Sequence, residues 1–250
     1  MQSALRSLQR QPGRYQVGTF VKTASPHVIE ILGLSGLDFA VLDAEHAPLD
    51  RAMLDLMLMA GRAADLPLLV RTPDTHPATF LSVLDMGAHG LLVPHVDTVE
   101  QAEAAVRQAR FRGGVRGYSG SPRFAGYGSL GMAQALSAGD SALVICQIES
   151  PQAVAHAAAI AAVPGVDGLF IGRADLALAM GLEDAKHPHV LAAADSSIAA
   201  ALAAGKLAGV FAGTVAERDR YAAQGVNWFV MGSDQSMLRQ AAATMAHPPA

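Results

Sequence analysis

The sequence predicts an α/β protein of the (β/α)8 TIM barrel type, because short apolar runs alternate with helical patterns along all 250 residues. The runs are continuously apolar, which is typical of parallel strands buried on both faces. Chains of this length commonly form such a barrel as one unit, so we expect residues 1–250 to be a single domain. An open doubly wound sheet is the alternative, and repeated βα units in this number favour the barrel.

Eight apolar runs are the predicted strands. They are YQVGTF at 15–20, DFAVLD at 38–43, PLLVR at 67–71, HGLLVP at 89–94, ALVICQIE at 142–149, DGLFIG at 167–172, LAGVFAG at 207–213 and NWFVMG at 227–232. Helical patterns fill the intervals, and several open on Thr, Asp or Pro, as helices commonly do. The Ala-rich runs AHAAAIAA and LAAADSSIAAALAAG predict outer helices that pack closely through small side chains.

The composition bears on partners and location. Charged residues make up 16%, against roughly 25% in an ordinary soluble domain, so we expect other subunits to cover much of the surface. The net charge of −4 and the lack of basic clusters beyond the arginines at 107–116 argue against a nucleic-acid role and favour a small-molecule ligand. The start, MQSALRSLQRQPGRYQ, lacks the apolar core of a signal peptide, and no run is long enough for a membrane span. We therefore expect a cytoplasmic protein.

Two further segments can be interpreted from the sequence. The single cysteine, Cys146, lies within an apolar run and is predicted to be a packed core residue. The longest irregular stretch, FRGGVRGYSGSPRFAGYGS at 111–129, predicts a functional lid, since loops of this length in compact domains often are. A mobile surface insertion is the alternative.

Polar residues gather at the carboxyl ends of the predicted strands, where barrels of this type place their active sites. In chain order they are Asp43, Glu45, His46, Arg71, Gln147, Glu149 and Asp175. Glu149 and Asp175 follow neighbouring strands about 4.8 Å apart, so both could bind one hard cation such as Mg²⁺ or Mn²⁺. The alternative is that the two carboxylates cap the helices that follow them.

Arg71 and His46 also admit two interpretations. Arg71 requires either an anionic ligand or an ion pair, for which Asp43 is the candidate. His46 stands beside two acids at a strand end, which suits a general base, although a half-buried structural histidine fits the same pattern. Four other histidines have no such setting and are interpreted as ordinary loop or helix residues: His76, His95, His187 and His189.

Four segments together resemble the HpcH/HpaI family of metal-dependent class II pyruvate aldolases. They are GLDFAVLDAEHAP, LDMGAHGLLVPHVDTVEQAEAAV with GVRGYS after it, VICQIESPQAV, and VDGLFIGRADLALAMG, and the resemblance runs from about residue 17 to 240. It implies a phosphoenolpyruvate/pyruvate-type barrel that cleaves 2-keto-3-deoxy sugar acids and related 4-hydroxy-2-oxo acids. The products are pyruvate or hydroxypyruvate and an aldehyde.

The resemblance also implies the roles of individual residues. Glu149 and Asp175 would hold a divalent cation such as Mg²⁺, Mn²⁺ or Co²⁺. Gln147, Asp175 and the backbone N–H of Ala174 would contact the keto acid, together with Arg71, which would also stabilise the enolate.

The same resemblance makes His46 the base and Asp85 the residue that raises its basicity. Asp85 ends a helix on the amino-terminal side of the predicted barrel, whereas His46 lies on the opposite rim. A strand length separates the two ends, about 17–20 Å, so Asp85 would have to come from a neighbouring subunit. This agrees with the homohexamer, a trimer of dimers, that the resemblance implies. The chain departs from the family pattern at Arg173, where proline is usual, and at Ala177, where serine is usual, so one more cation lies near the site.

Three rival functions stay open at this point. A Schiff-base aldolase would need a rim lysine, and of Lys22, Lys186 and Lys206 only Lys22 is suitably placed. A lyase of citryl- or malyl-CoA thioesters would use a related barrel. A non-catalytic barrel would bind an acidic metabolite through GVFAGT and VMGSD, the loops where barrels often hold phosphate, although both loops lack Lys and Arg.

Overall fold

The computed structural model describes residues 14–247, in which eight parallel strands close into a barrel. Neighbours in the chain are neighbours in the sheet, and the last strand pairs with the first. The strands are β1 (Gln16–Val21), β2 (Phe39–Asp43), β3 (Leu68–Arg71), β4 (Gly90–Val93), β5 (Leu143–Ile148), β6 (Gly168–Ile171), β7 (Leu207–Ala212) and β8 (Trp228–Ser233). The predicted (β/α)8 barrel is confirmed, and each strand begins and ends within one residue of its predicted run.

Helices connect the strands and cover the outside of the barrel. They are α1 (Pro26–Gly33), α2 (Arg51–Ala63), α3 (Pro77–Asp85), α4 (Val99–Ala109), α5 (Met132–Gly139), α6 (Pro151–Ala162), α7 (Arg173–Ala179), α8 (Pro188–Ala203), α9 (Val215–Ala223) and α10 (Asp234–Ala246). The Ala-rich helices α6 and α8 pack against each other, as predicted. None of the helices described between residues 14 and 247 is long and apolar enough to cross a membrane. The start of the chain, for which no signal peptide is predicted, lies mostly outside the described residues.

Aromatic side chains fill the interior of the barrel below the catalytic end. The rings of Phe39 and Trp228 are stacked with their centroids 4.5 Å apart, and Phe170 meets Trp228 edge-on at 5.7 Å. Glycines on the neighbouring strands leave the space these rings need: a Cβ on Gly18 would lie 2.5 Å from the Phe39 ring, and one on Gly209 would lie 2.7 Å from Trp228. The interior is therefore a packed core, as in other barrels of this type.

Cys146 lies on β5 and faces the apolar layer between the strands and the helices. It is fully buried, and burial raises the pKa of its thiol to about 12. Because the thiolate is the reactive form, we expect a disulfide reagent such as dithionitrobenzoate to leave the native protein unmodified. One thiol per chain should react once guanidinium unfolds the protein. Rapid labelling of the native protein would contradict the buried placement.

The long segment between α4 and α5 lies at the amino-terminal end of the barrel. Arg116 donates to Asp85 at the end of α3 over 2.7 Å, and Arg123 donates to the carbonyl of Met86 over 2.6 Å. Arg123 also pairs with Asp55 of α2 at 2.8 Å. Helices of this fold run antiparallel to the strands, so the end of α3 is remote from the catalytic rim. The prediction that residues 111–129 form a lid is therefore wrong for the site of their own barrel.

Candidate active site

Asp43 ends β2 as a fully buried carboxylate bound by two cations. Arg71, which ends β3, donates to it through Nε at 2.9 Å and Nη2 at 2.7 Å, and Lys22 Nζ lies 3.1 Å from its Oδ2. Burial acts to raise the pKa of Asp43, but the hydrogen bonds and charge of Arg71 outweigh it and hold the pKa below its usual value. The ion pair that the sequence offered as one interpretation of Arg71 is thus present. Arg71 also lines the cavity described below, so its position fits both a structural ion pair and a contact with an anionic ligand.

His46 stands at the mouth of the barrel on the loop that follows β2. Its backbone N–H donates to Asp43 Oδ1 over 3.2 Å, so Asp43 supports this loop. The imidazole is 51% exposed, and its Nε2 lies 3.6 Å from Glu45 Oε2. A side chain that is open to solvent and held beside a carboxylate can exchange a proton with a bound substrate.

Glu45 links several groups of the site, although the sequence assigned it no role. Its Oε2 lies 3.3 Å from Arg71 Nε, and its Oε1 lies 3.2 Å from His95 Nε2. The side chain of Glu45 is 11% exposed, so its charge is largely shielded from water. Its contacts with Arg71 and His95 take the place of that water.

Glu149 follows β5 as a buried carboxylate with no arginine or lysine bound to it in the described chain. Its Oε1 accepts the backbone N–H of His95 at 2.7 Å, and its Oε2 accepts a hydrogen bond from the amide of Gln147. Burial raises the pKa of Glu149, and the nearby charge of Asp175 adds to the rise, while the hydrogen bonds oppose it only in part. A buried carboxylate of this kind gains from a bound cation.

Neither carboxylate of the predicted metal pair is a helix cap. Ser150 caps α6 with its side chain, and Gly172 occupies the capping position of α7, which places Asp175 inside its first turn. The interpretation of Glu149 and Asp175 as caps is therefore wrong.

A Cβ on Gly172 would lie 3.0 Å from Gln147 Nε2 and 3.1 Å from Glu149 Oε2, so glycine lets the chain pass close to Glu149.

The donor set fits a hard divalent cation. In residues 14–247, no three His, Cys, Asp or Glu side chains converge as a ready metal cluster. A cation at Glu149 and Asp175 would thus have two protein carboxylates and leave its other positions to water or to substrate oxygens. This arrangement is the one Mg²⁺ and Mn²⁺ commonly have in enzymes, and the buried Glu149, which has no arginine or lysine bound to it in the described residues, favours it.

A cavity of about 670 Å³ opens beside these groups. Arg71, Gln147, Ala174 and Asp175 line it, so the structure brings together the four residues predicted to bind substrate. Aromatic and aliphatic side chains form one wall: Phe20, Phe170, Leu191 and Phe211. A cavity of this size suits a small organic acid.

The wall formed by α7 and α9 carries most of the remaining charge. The Arg173 guanidinium pairs through Nη2 with Glu217 at 2.6 Å and lies over the ring of Tyr221, so Glu217 compensates the charge of this extra cation. Lys186 and Arg220 also line the cavity and are exposed. Lys186 was predicted to lie in a connecting loop away from the site, and the structure places it on this wall.

Asp85 is the one predicted catalytic residue that lies apart from the others. It pairs with Arg116 at the amino-terminal end of the barrel, with 2.7 Å between the carboxylate and the guanidinium. This placement agrees with the prediction that Asp85 and His46 lie at opposite ends of one subunit.

His95 is the site residue that the sequence interpretation missed. It was taken for an ordinary loop residue, yet it contacts both Glu45 and Glu149. The available signal was its position, because it follows Pro94 directly after β4, on the same rim as the other polar residues.

Comparisons with known proteins show which sequences and folds this chain resembles. The sequence profile described as HpcH/HpaI aldolase/citrate lyase matches residues 16–241. The chain is 40% identical to the 5-keto-4-deoxy-D-glucarate aldolase of Klebsiella pneumoniae subsp. pneumoniae, covering 92% of this chain and 91% of that protein. It is 39% identical to the enzyme of the same name from Shigella dysenteriae serotype 1, over the same shares of the two chains. A solved HpcH/HpaI aldolase/citrate lyase family protein from Burkholderia cenocepacia J2315 is 34% identical, with a TM-score of 0.93 over 98% of both chains.

Proposed function

The chain belongs to the HpcH/HpaI aldolase/citrate lyase family, and from this premise we propose its substrate and the role of each site residue. It is an aldolase, a carbon–carbon lyase, as the sequence predicts. The proposed substrate is a sugar acid of the 5-keto-4-deoxy-D-glucarate type, which has a carboxylate at each end. Cleavage would release pyruvate and an aldehyde that keeps the second carboxylate. The cytoplasmic location predicted from the sequence is part of the same proposal.

The proposal rests on one observation above the others. A buried carboxylate of raised pKa, Glu149, lies near Asp175, which lines the cavity together with Arg71 and Gln147. Glu149 and Asp175 would hold Mg²⁺, Mn²⁺ or Co²⁺, and that cation would act as a Lewis acid on the keto group of the substrate.

The protein's own groups would perform the remaining steps. Gln147 and the backbone N–H of Ala174 orient the keto acid, and Arg71 places fixed positive charge where the enolate oxygen develops. His46 takes the proton of the substrate hydroxyl as the carbon–carbon bond breaks, directly or through a water, and returns it in the condensation direction.

We also propose that the enzyme is a homohexamer, a trimer of dimers, in which Asp85 reaches His46 of a neighbouring subunit. The isolated barrel leaves apolar surface uncovered at its last helix, α10, of which only Asp234 is buried. Leu238 is 73% exposed and Met245 is 84% exposed. A helix with so little packing on its own barrel requires another surface for stability, which a second copy would supply.

Chelation is expected to abolish turnover, and this result would test the proposed chemistry. Glu149→Gln and Asp175→Asn should each weaken Mn²⁺ binding by about a hundredfold, because each removes the negative charge of one of the two carboxylate ligands. Glu149→Gln should not lower the unfolding temperature of the metal-free protein. The pKa of Glu149 is raised in the folded state. As the pH rises above the pKa that Glu149 has in the unfolded chain, its charged form therefore destabilises the fold increasingly.

Turnover of the keto acid in excess EDTA would contradict the proposal. Borohydride trapping with pyruvate tests the Schiff-base rival, and labelling of Lys22 or Lys186 would support that rival. Lys22 is held by Asp43, which disfavours it as a nucleophile. A panel of free keto acids and CoA thioesters separates the proposed reaction from a CoA-ester lyase.

A further inference from the structure

His95 has a backbone conformation that is uncommon outside glycine. Its φ is +55°, in the left-handed region that non-glycine residues seldom adopt. The turn follows the end of β4 and directs the His95 N–H to Glu149 Oε1, 2.7 Å away. Uncommon conformations of this kind persist where surrounding interactions hold them, often at functional sites.

The side chain of His95 joins two acids that come from different strands. Its Nδ1 lies 3.0 Å from Glu149 Oε1, and its Nε2 lies 3.2 Å from Glu45 Oε1. The ring is 68% exposed, so burial does not hold it in this position. The two carboxylates are therefore the contacts that orient the ring.

This bridge connects the two chemical parts of the site. Glu45 contacts His46 and Arg71, whereas Glu149 belongs to the proposed metal pair. One rigid imidazole thus ties the loop that carries the proposed base to the proposed metal ligand. The second oxygen of Glu149 is fixed separately, by the amide of Gln147.

We propose that His95 is a positioning residue that holds Glu149 for metal binding and couples it to Glu45. The proposal rests on the metal site of the proposed function. Groups that contact a metal ligand without binding the metal themselves typically change metal affinity by about 10–100-fold when they are removed. The backbone N–H of His95 would still reach Glu149 in a variant, so a substitution tests the imidazole bridge alone.

Direct Mn²⁺ titration of the purified protein, followed by electron paramagnetic resonance, tests this role without an activity assay. We expect His95→Leu to raise the Kd for Mn²⁺ by about tenfold. His95→Gln should recover part of the loss, because its amide can still donate to one carboxylate. His189→Leu is the matched control, since His189 is an exposed residue in the first turn of α8, and its Kd should equal that of the wild type.

A double-mutant cycle tests the coupling to Glu45. Glu45→Gln should weaken Mn²⁺ binding in the wild type, although Glu45 is not a proposed ligand, and should have little further effect in His95→Leu. If the effects of Glu45→Gln and His95→Leu on the affinity for Mn²⁺ are additive, the two residues are not coupled and the bridge is overturned. Thermal unfolding of each variant verifies that it is folded.

The outcomes distinguish the proposed role of His95 from the proposed metal site on which it rests. A wild-type protein that binds no Mn²⁺ would overturn the metal site and the role of His95 with it. A wild type that binds Mn²⁺, with His95→Leu binding it equally or more tightly, would overturn only the role of His95.

Discussion

Replacing Arg71 by lysine is expected to lower kcat by about a hundredfold or more, the usual effect of removing a group that stabilises an oxyanion. Arg71 presents one edge of its guanidinium to Asp43 through Nε and Nη2, and it also lines the cavity. The planar guanidinium can bind a carboxylate on one edge and still direct charge at a substrate. A lysine has a single charged nitrogen on a flexible stem and cannot do both.

The same substitution also weakens a buried ion pair, so stability must be measured beside turnover. Arg110→Lys is a suitable control, because Arg110 is similarly buried and pairs with the buried Asp167 at the other end of the barrel. It should change the unfolding temperature without changing kcat. If Arg71→Lys behaves in the same way, with near-normal turnover, Arg71 is a structural ion pair and the proposed enolate role is wrong.

Mixing two inactive proteins, His46→Ala and Asp85→Ala, is expected to restore activity if sites are shared between subunits. Each hybrid site needs His46 from one subunit and Asp85 from its neighbour. With random exchange of equal amounts, about a quarter of the sites would contain both residues. The recovered rate should therefore approach a quarter of the wild-type rate.

Two measurements make this test decisive. Mass spectrometry of isotope-labelled subunits establishes that exchange has occurred. Mixing His46→Ala with the double variant His46→Ala/Asp85→Ala is the negative control, since no hybrid then contains an intact histidine. No recovery in the first mixture, despite proven exchange, would show that Asp85 acts only on Arg116 within its own chain.

The barrel and most of the candidate site could be predicted because both depend on local sequence. Each strand is a short apolar run, and each carboxyl end carries its polar residue directly after that run. Parallel strands then bring those ends to one rim without further information. This is why Gln147 and Asp175, which lie far apart in the chain from Arg71, could be assigned to one cavity.

The features that could not be predicted depend on contacts between distant segments. The left-handed turn at His95 places an ordinary-looking loop residue between Glu45 and Glu149, and apolar periodicity gives no sign of it. Residues 111–129 follow a helix that ends at the amino-terminal side of the barrel. Their length predicts a lid, but their position excludes one over the site of their own barrel. Lys186 lines the cavity although it lies in the loop between α7 and α8.

The division of the cavity into two sides has an evolutionary consequence. Within one subunit, the groups proposed for bond cleavage lie on or directly after β2, β3 and β5 and at the start of α7, whereas Phe211, Glu217 and Arg220, which also line the cavity, come from β7 and α9. Substitutions in β7 and α9 can therefore reshape the cavity without replacing any of the groups proposed for bond cleavage. After a gene duplication, a few substitutions in β7 and α9 could let the enzyme accept a different aldehyde while it keeps the ancestral bond-cleaving groups.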